Sequence, residues 1–104
     1  MQESKVRLLQ KEFIGRGEVK GLSFERVKES DYVYLYKVGN TDPKKAYYEV
    51  FIRKINKLYN TETYPSSKRF GKSAFTYLKE EQAIIKFNLL HKREKKRLAR
   101  NEEE

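Results

Sequence analysis

The chain contains no cysteine, no tryptophan, one histidine and two prolines. Without cysteine, disulfides, thiolate nucleophiles and cysteine-based zinc sites are excluded together, and a disulfide-free domain suits a reducing cytosol. His91 stands alone among lysines, and Asp31 and Asp42 are the only aspartates. The constellations from which general bases, nucleophiles and metal sites are built are therefore missing. The glutamates that do cluster, Glu80/Glu81 and Glu102–Glu104, answer to a helix dipole and a solvated tail rather than to a metal. Gly15-Arg16-Gly17 with Gly21 misses the dinucleotide fingerprint by one residue, and a strand-like segment follows it where a helix is required. No run approaches 18 consecutive apolar residues, and MQESKVRLLQKEF lacks the apolar core of a signal peptide. These absences describe a soluble, cytoplasmic chain with no catalytic residue, no metal, no cofactor and no membrane partner.

What the chain has in quantity is charge and aromatic rings. Charged residues make up 38%, the net charge is +9, and there are eight tyrosines and six phenylalanines. With only 38% hydrophobic residues, the core of a 104-residue domain must lean on those rings. From His91 onward the net charge is +2, which leaves +7 within residues 1–90. A positive balance inside the folded part points to anionic partners.

Alternation dominates the first three quarters of the chain. Glu12-Phe13-Ile14, running into the turn Gly15-Arg16-Gly17, and Gly21–Val27, with Leu22 and Phe24 on one face, suggest a first hairpin. Asp31–Val38 is the cleanest strand, with Tyr32, Tyr34, Tyr36 and Val38 on one face and Val33, Leu35 and Lys37 on the other. Gly39–Pro43 is dense in turn formers. Ala46–Ile55 reads as the partner strand: Ala46, Tyr48, Val50 and Ile52 form its core face, and Tyr47, Glu49, Phe51 and Arg53 a half-polar one. Tyr64–Gly71 reads as one helical turn, with Pro65 at its start and Gly71 at a left-handed cap. Ser73–Leu78 is a short final strand.

From Lys79 the period becomes helical, with Ala83, Ile84, Phe87 and Leu90 on one stripe. Past Leu90 the helix should project into solvent and fray. The expected fold is α+β: an antiparallel meander of four to five strands with one long C-terminal helix packed on one face. Residues 1–90 form a single compact domain, and 91–104 a basic-then-acidic, solvent-exposed extension.

The candidate site is the interleaving of cations and rings. Lys45–Lys79 holds eight of the fourteen aromatic residues and eight Lys or Arg against only Glu49 and Glu62. Phosphate oxygens call for long cationic side chains, and unpaired bases for exposed rings. Arg53, Lys54 and Lys57 at a strand end, Lys68, Arg69 and Lys72 around the Phe-Gly turn, and Lys92, Arg93 and Lys96 on the helix are the candidate nucleic-acid-binding cations. Tyr47 and Phe51 are the candidate stacking rings.

Tyr48-Glu49-Val50-Phe51-Ile52-Arg53-Lys54 and Tyr64-Pro65-Ser66-Ser67-Lys68-Arg69-Phe70-Gly71-Lys72-Ser73-Ala74-Phe75 resemble segments of small uncharacterised proteins from phages and mobile elements of Bacteroidetes-type bacteria. The likeness covers roughly Phe24 to Leu90. It implies such an origin, a compact α+β fold and, for a phage-encoded chain, a place in the host cytoplasm. Lys68-Arg69-Phe70-Gly71 is also similar in position to the signature of the WGR domain of poly(ADP-ribose) polymerases, which contacts DNA, although the defining tryptophan is absent.

The expectation is a small basic accessory protein that binds DNA or RNA through the backbone, without strong sequence specificity. The alternative is a protein-interaction module docking an acidic surface, such as an inhibitor of a host defence or replication enzyme or a minor virion component. An open edge strand leaves room for a homodimer in either case.

Overall fold

Alternating residues of the tyrosine-rich segment build the central strand of the computed structural model, which describes residues 6–40 and 42–103. The first five residues of the expected domain, Thr41 of the expected turn and the last glutamate of the expected tail lie outside the described residues. In chain order the elements are β1 (Glu12–Ile14), β2 (Ser23–Glu29), β3 (Val33–Gly39), β4 (Tyr47–Ile52), β5 (Ile55–Asn56), β6 (Thr61–Glu62), β7 (Ala74–Tyr77) and α1 (Glu80–Glu103). Five strands form one antiparallel sheet in the order β1-β2-β3-β4-β7, and β5 and β6 form a separate small hairpin. Helix α1 packs on β3, β4 and β7, so the molecule is α+β.

Both faces of the sheet are buried. On one, Val33, Leu35 and Val50 meet Ala83, Phe87 and Leu90 of α1, which realises the expected helical stripe. On the other, Phe24, Tyr34, Tyr36, Val38, Phe51 and Ala74 form a second core, flanked by Leu9, Phe13, Val19, Tyr64 and Phe70. This second core corrects the half-polar face expected for β4. Phe51 is only 1% exposed and stacks on Tyr36, with ring centroids 5.6 Å apart and planes within 3°. Tyr32 departs from the expected face as well. It precedes β3 rather than belonging to it, and its ring lies 5.2 Å from that of His91 on the helix side.

A bulge in β2 distributes its cations between the layers. Arg26 pairs with Tyr36 and Lys28 with Leu35, so Val27 is the extra residue. That one-residue slip reverses the facing of the residues after it. The Arg26 guanidinium lies 4.0 Å from the Tyr34 ring centroid in the second core, while the Lys28 ammonium sits over Phe87 of the helix.

The segment after β6 forms a short 3-10 turn at Ser67–Arg69, with Ser66 before it. Pro65 therefore lies ahead of the turn rather than at its first position. Gly71 has φ 91°, a left-handed conformation that glycine adopts without a Cβ penalty. Helix α1 continues to Glu103, so the expected extension beyond Leu90 is helical. Straight-chain Lys, Arg and Glu residues favour helix, and Arg97 bonds Glu94 one turn back at 2.8 Å. Among the described residues no helix is long and apolar enough to cross a membrane.

Candidate nucleic-acid interface

The structure sorts the candidate cations into guanidinium groups turned inward and lysines left outside. Arg53 follows β4, and its side chain is only 18% exposed. Its Nε donates to Glu62 Oε2 at 2.7 Å and its Nη1 to the Ser30 carbonyl at 2.8 Å. Its guanidinium also lies 4.5 Å from the Tyr34 ring centroid. Arg69 donates to Ser73 Oγ at 2.8 Å and to the Ile52 carbonyl at 2.6 Å, and burial lowers its pKa. Both guanidinium groups are thus partly engaged in bonds within the fold. The planar, five-donor fork of arginine suits such internal brackets, whereas a lysine ammonium keeps its water.

Lys54, Lys57, Lys68, Lys72, Lys92, Arg93 and Lys96 are exposed. Several share one end of the sheet. Arg53 reaches the β2–β3 turn at Ser30, and Ile52 N–H bonds the Ser73 carbonyl, which places Lys54 and Lys72 at that end. His91 Nδ1 meets Ser30 Oγ at 2.8 Å, so the helix passes the same turn before it carries Lys92, Arg93 and Lys96 beyond the sheet. Ser30 Oγ already accepts N–H groups from Tyr32 and Val33 at 3.3 and 3.1 Å. Lys68 sits apart, on the turn lining a cleft beside Tyr64.

The candidate rings fare differently. Phe51 is lost to the core. Tyr47 is half-buried against the second core and lines the same cleft. The exposed ring is Tyr59, 73% accessible at the tip of the β5–β6 hairpin, beside Leu58 at 81% and next to Lys57. This hairpin is braced rather than loose. Glu62, 5% exposed, accepts from Leu9 N–H at 2.9 Å, Tyr34 Oη at 2.6 Å and Arg53. Burial alone would raise the Glu62 pKa, but the donors from Tyr34, Leu9 and Arg53 outweigh it and the carboxyl is held below its usual range. Arg7 N–H bonds the Asn60 carbonyl and Glu62 N–H bonds the Arg7 carbonyl, so the N-terminal segment clamps β6 from its other side. The result presents Lys57, Leu58 and Tyr59 to solvent on a fixed base.

Tyr59 was not among the expected rings. Its signal is Lys-Leu-Tyr-Asn between two short segments, with Asn60 taking φ 52° to close the turn. A second residue was also passed over: Glu49, a lone acid in the apolar run YYEVFI, is 3% exposed. It lines a cleft of about 610 Å³ with Arg16, Val19, Tyr47, Tyr64 and Phe70. Tyr64 Oη donates to Glu49 Oε1, and burial pushes the Glu49 carboxyl up despite that bond.

No protein-family model, no curated protein and no solved structure matches this chain. The functional reading therefore stands on the geometry alone.

Proposed function

We propose that this chain is a non-enzymatic accessory protein that binds nucleic acid. Exposed lysines at one end of the sheet hold the sugar-phosphate backbone, and Tyr59 stacks on an unpaired base. The observation that carries this reading is the braced hairpin, which spends no side chain of Lys57-Leu58-Tyr59 on its own core yet holds a ring and a cation in solvent. An aromatic ring left 73% exposed is free to stack, and stacking on one contributes about 1–3 kcal/mol per base. The kinship to phage- and mobile-element-type proteins belongs to the same proposal.

Fluorescence anisotropy with labelled single-stranded and duplex DNA and RNA, across a salt titration, tests it. Affinity should fall steeply with salt, and Lys54→Ala/Lys57→Ala should reduce the slope of log K against log salt by about 2 on duplex DNA. Absence of binding to every one of these at about 50 mM salt would sink the proposal.

Leu58 favours one second reading. An apolar side chain 81% exposed beside a tyrosine also fits the anchor of a protein interface. Pull-down with the hairpin intact and nuclease present separates the two: partners retained after nuclease treatment favour direct protein contact.

A further inference from the structure

The molecule buries two glutamates and treats them in opposite ways. Glu62 receives an arginine, a tyrosine and a backbone N–H. Glu49 lies on β4, opposite Tyr36 of β3 and Thr76 of β7, and among the described residues its hydrogen bond comes from Tyr64. None of the ion pairs among the described residues includes it. A carboxylate offers about four acceptor sites, so Glu49 retains capacity that its fold does not use, and that capacity borders the cleft.

The cleft has the chemistry of a recognition site. Tyr47, Tyr64, Phe70, Val19 and Pro65 give it aromatic and apolar walls, and Ser66, Ser67 and Thr76 add hydroxyls. Arg16, exposed, stands among its lining residues. A volume of about 610 Å³ lies in the range of small-molecule sites and exceeds what a lone base needs.

We propose that this cleft binds the guanine base of a nucleotide, with the Glu49 carboxylate accepting from N1–H and the 2-amino group. The aromatic walls then cover the base face, and Arg16 meets the phosphate. Guanine is singled out by donor geometry. Its Watson–Crick edge carries two adjacent N–H donors that match the two oxygens of a carboxylate. Adenine and cytosine set a ring nitrogen acceptor beside their amino group, so one carboxylate oxygen would face a lone pair. Uracil has a single donor between two acceptors. An aliphatic ammonium would also answer a carboxylate, but it would enter beside Arg16 in a chain of net charge +9. Burial raises the Glu49 pKa and so disfavours its charged form, and the two donors of the base offset that cost by replacing the water that the carboxylate has lost. The inference rests on the cleft and not on the hairpin.

The test is an NMR titration of the full chain with GMP, AMP, CMP, UMP and guanosine, followed at the resonances of Glu49, Tyr64 and neighbouring residues. GMP should bind about tenfold more tightly than AMP, and guanosine more weakly than GMP. Glu49→Gln should abolish the preference among bases, Arg16→Ala should narrow the gap between GMP and guanosine, and Lys54→Ala/Lys57→Ala should leave GMP binding unchanged. Thymidine oligomers of equal length with and without one guanine distinguish a strand from a free nucleotide: a strand source predicts tighter binding by the one that carries guanine, whereas a nucleotide source predicts that the two bind alike. The proposal fails if GMP does not bind at about 1 mM, if the four nucleotides bind alike, or if methylammonium binds where GMP does not. These readouts on the unaltered chain decide the matter even if Glu49→Gln does not fold.

Discussion

The Arg53 guanidinium and the Glu62 carboxylate form a 2.7 Å ion pair that ties the end of β4 to β6, and with it the hairpin that carries Tyr59. Glu62 is 3% exposed at its side chain. Removing only Arg53 leaves a buried carboxylate whose remaining donors are Tyr34 Oη and Leu9 N–H. Arg53→Ala should therefore lower stability by about 3 kcal/mol, the low end for a broken buried pair, since Arg53 retains some solvent access. Arg53→Met/Glu62→Leu should lose less than Arg53→Ala alone. Urea denaturation of both variants checks this, and equal losses would show that the stranded charge is not the cause.

Glu62 and Glu49 give opposite contributions to stability against pH. The Glu62 pKa is lowered on folding, so its contribution is present above the unfolded value of about 4.3 and is lost as pH falls through the folded value. The Glu49 pKa is raised by burial. Its favourable contribution is complete below about 4.3 and disappears as pH rises through the folded value. Thermal melts of Glu62→Gln should show the largest deficit at neutral pH and a shrinking one in acid. Glu49→Gln, which keeps an oxygen for Tyr64, should gain on the wild type as pH rises from about 4 to about 7. A constant offset across that range for both variants would contradict the assignment.

Much of the fold could be read from local periodicity. The period of 2 in Asp31–Val38 and Ala46–Ile55 and the stripe Ala83, Ile84, Phe87 and Leu90 are each set by neighbours in sequence, and each became an element close to its expected bounds. The second core left no such trace. Leu9, Phe13, Val19, Tyr64 and Phe70 come from short irregular segments, and nothing local says that they cover the sheet. The site suffered from the same blindness. Whether an arginine is free depends on partners reached through the fold: Glu62 lies nine residues beyond Arg53, across a turn, and Ser30 lies 23 residues before it. Exposure of Lys54 and Lys57 was legible because no apolar pattern claims them, whereas the burial of Phe51 was not.

Phe51 and Tyr59 make a matched pair for separating core from surface. Phe51 is 1% exposed and contacts the rings of Tyr34, Tyr36 and Tyr64. Phe51→Ala should lower stability by about 3–5 kcal/mol, the range for truncating a buried phenylalanine. Tyr59→Ala should stay within about 0.5 kcal/mol, as exposed substitutions generally do. Its effect should appear instead as weaker binding to single-stranded DNA or RNA, with duplex binding little changed. Equilibrium unfolding gives the first comparison and anisotropy the second. A Tyr59→Ala variant as unstable as Phe51→Ala would place that ring in the scaffold.

Four of the eight tyrosines should resist ionisation until the chain unfolds. Burial raises the pKa of Tyr34, Tyr36, Tyr47 and Tyr64. In Tyr34 and Tyr64 the hydroxyl also donates to a glutamate, Glu62 and Glu49 respectively, and that bond is lost with the proton. In Tyr36 the neighbouring Arg26 opposes the shift without cancelling it. Each of these groups is protonated in the native state, so its contribution is present below the unfolded value of about 10 and is lost as pH rises through the folded one. Alkaline titration at the phenolate absorbance should then show a phase that coincides with the loss of near-ultraviolet circular dichroism. Tyr64→Phe should remove one phenolate from that phase. If its missing phenolate came instead from ionisation of the folded chain, Tyr64 would be exposed, and the walls assigned to the Glu49 cleft would be wrong.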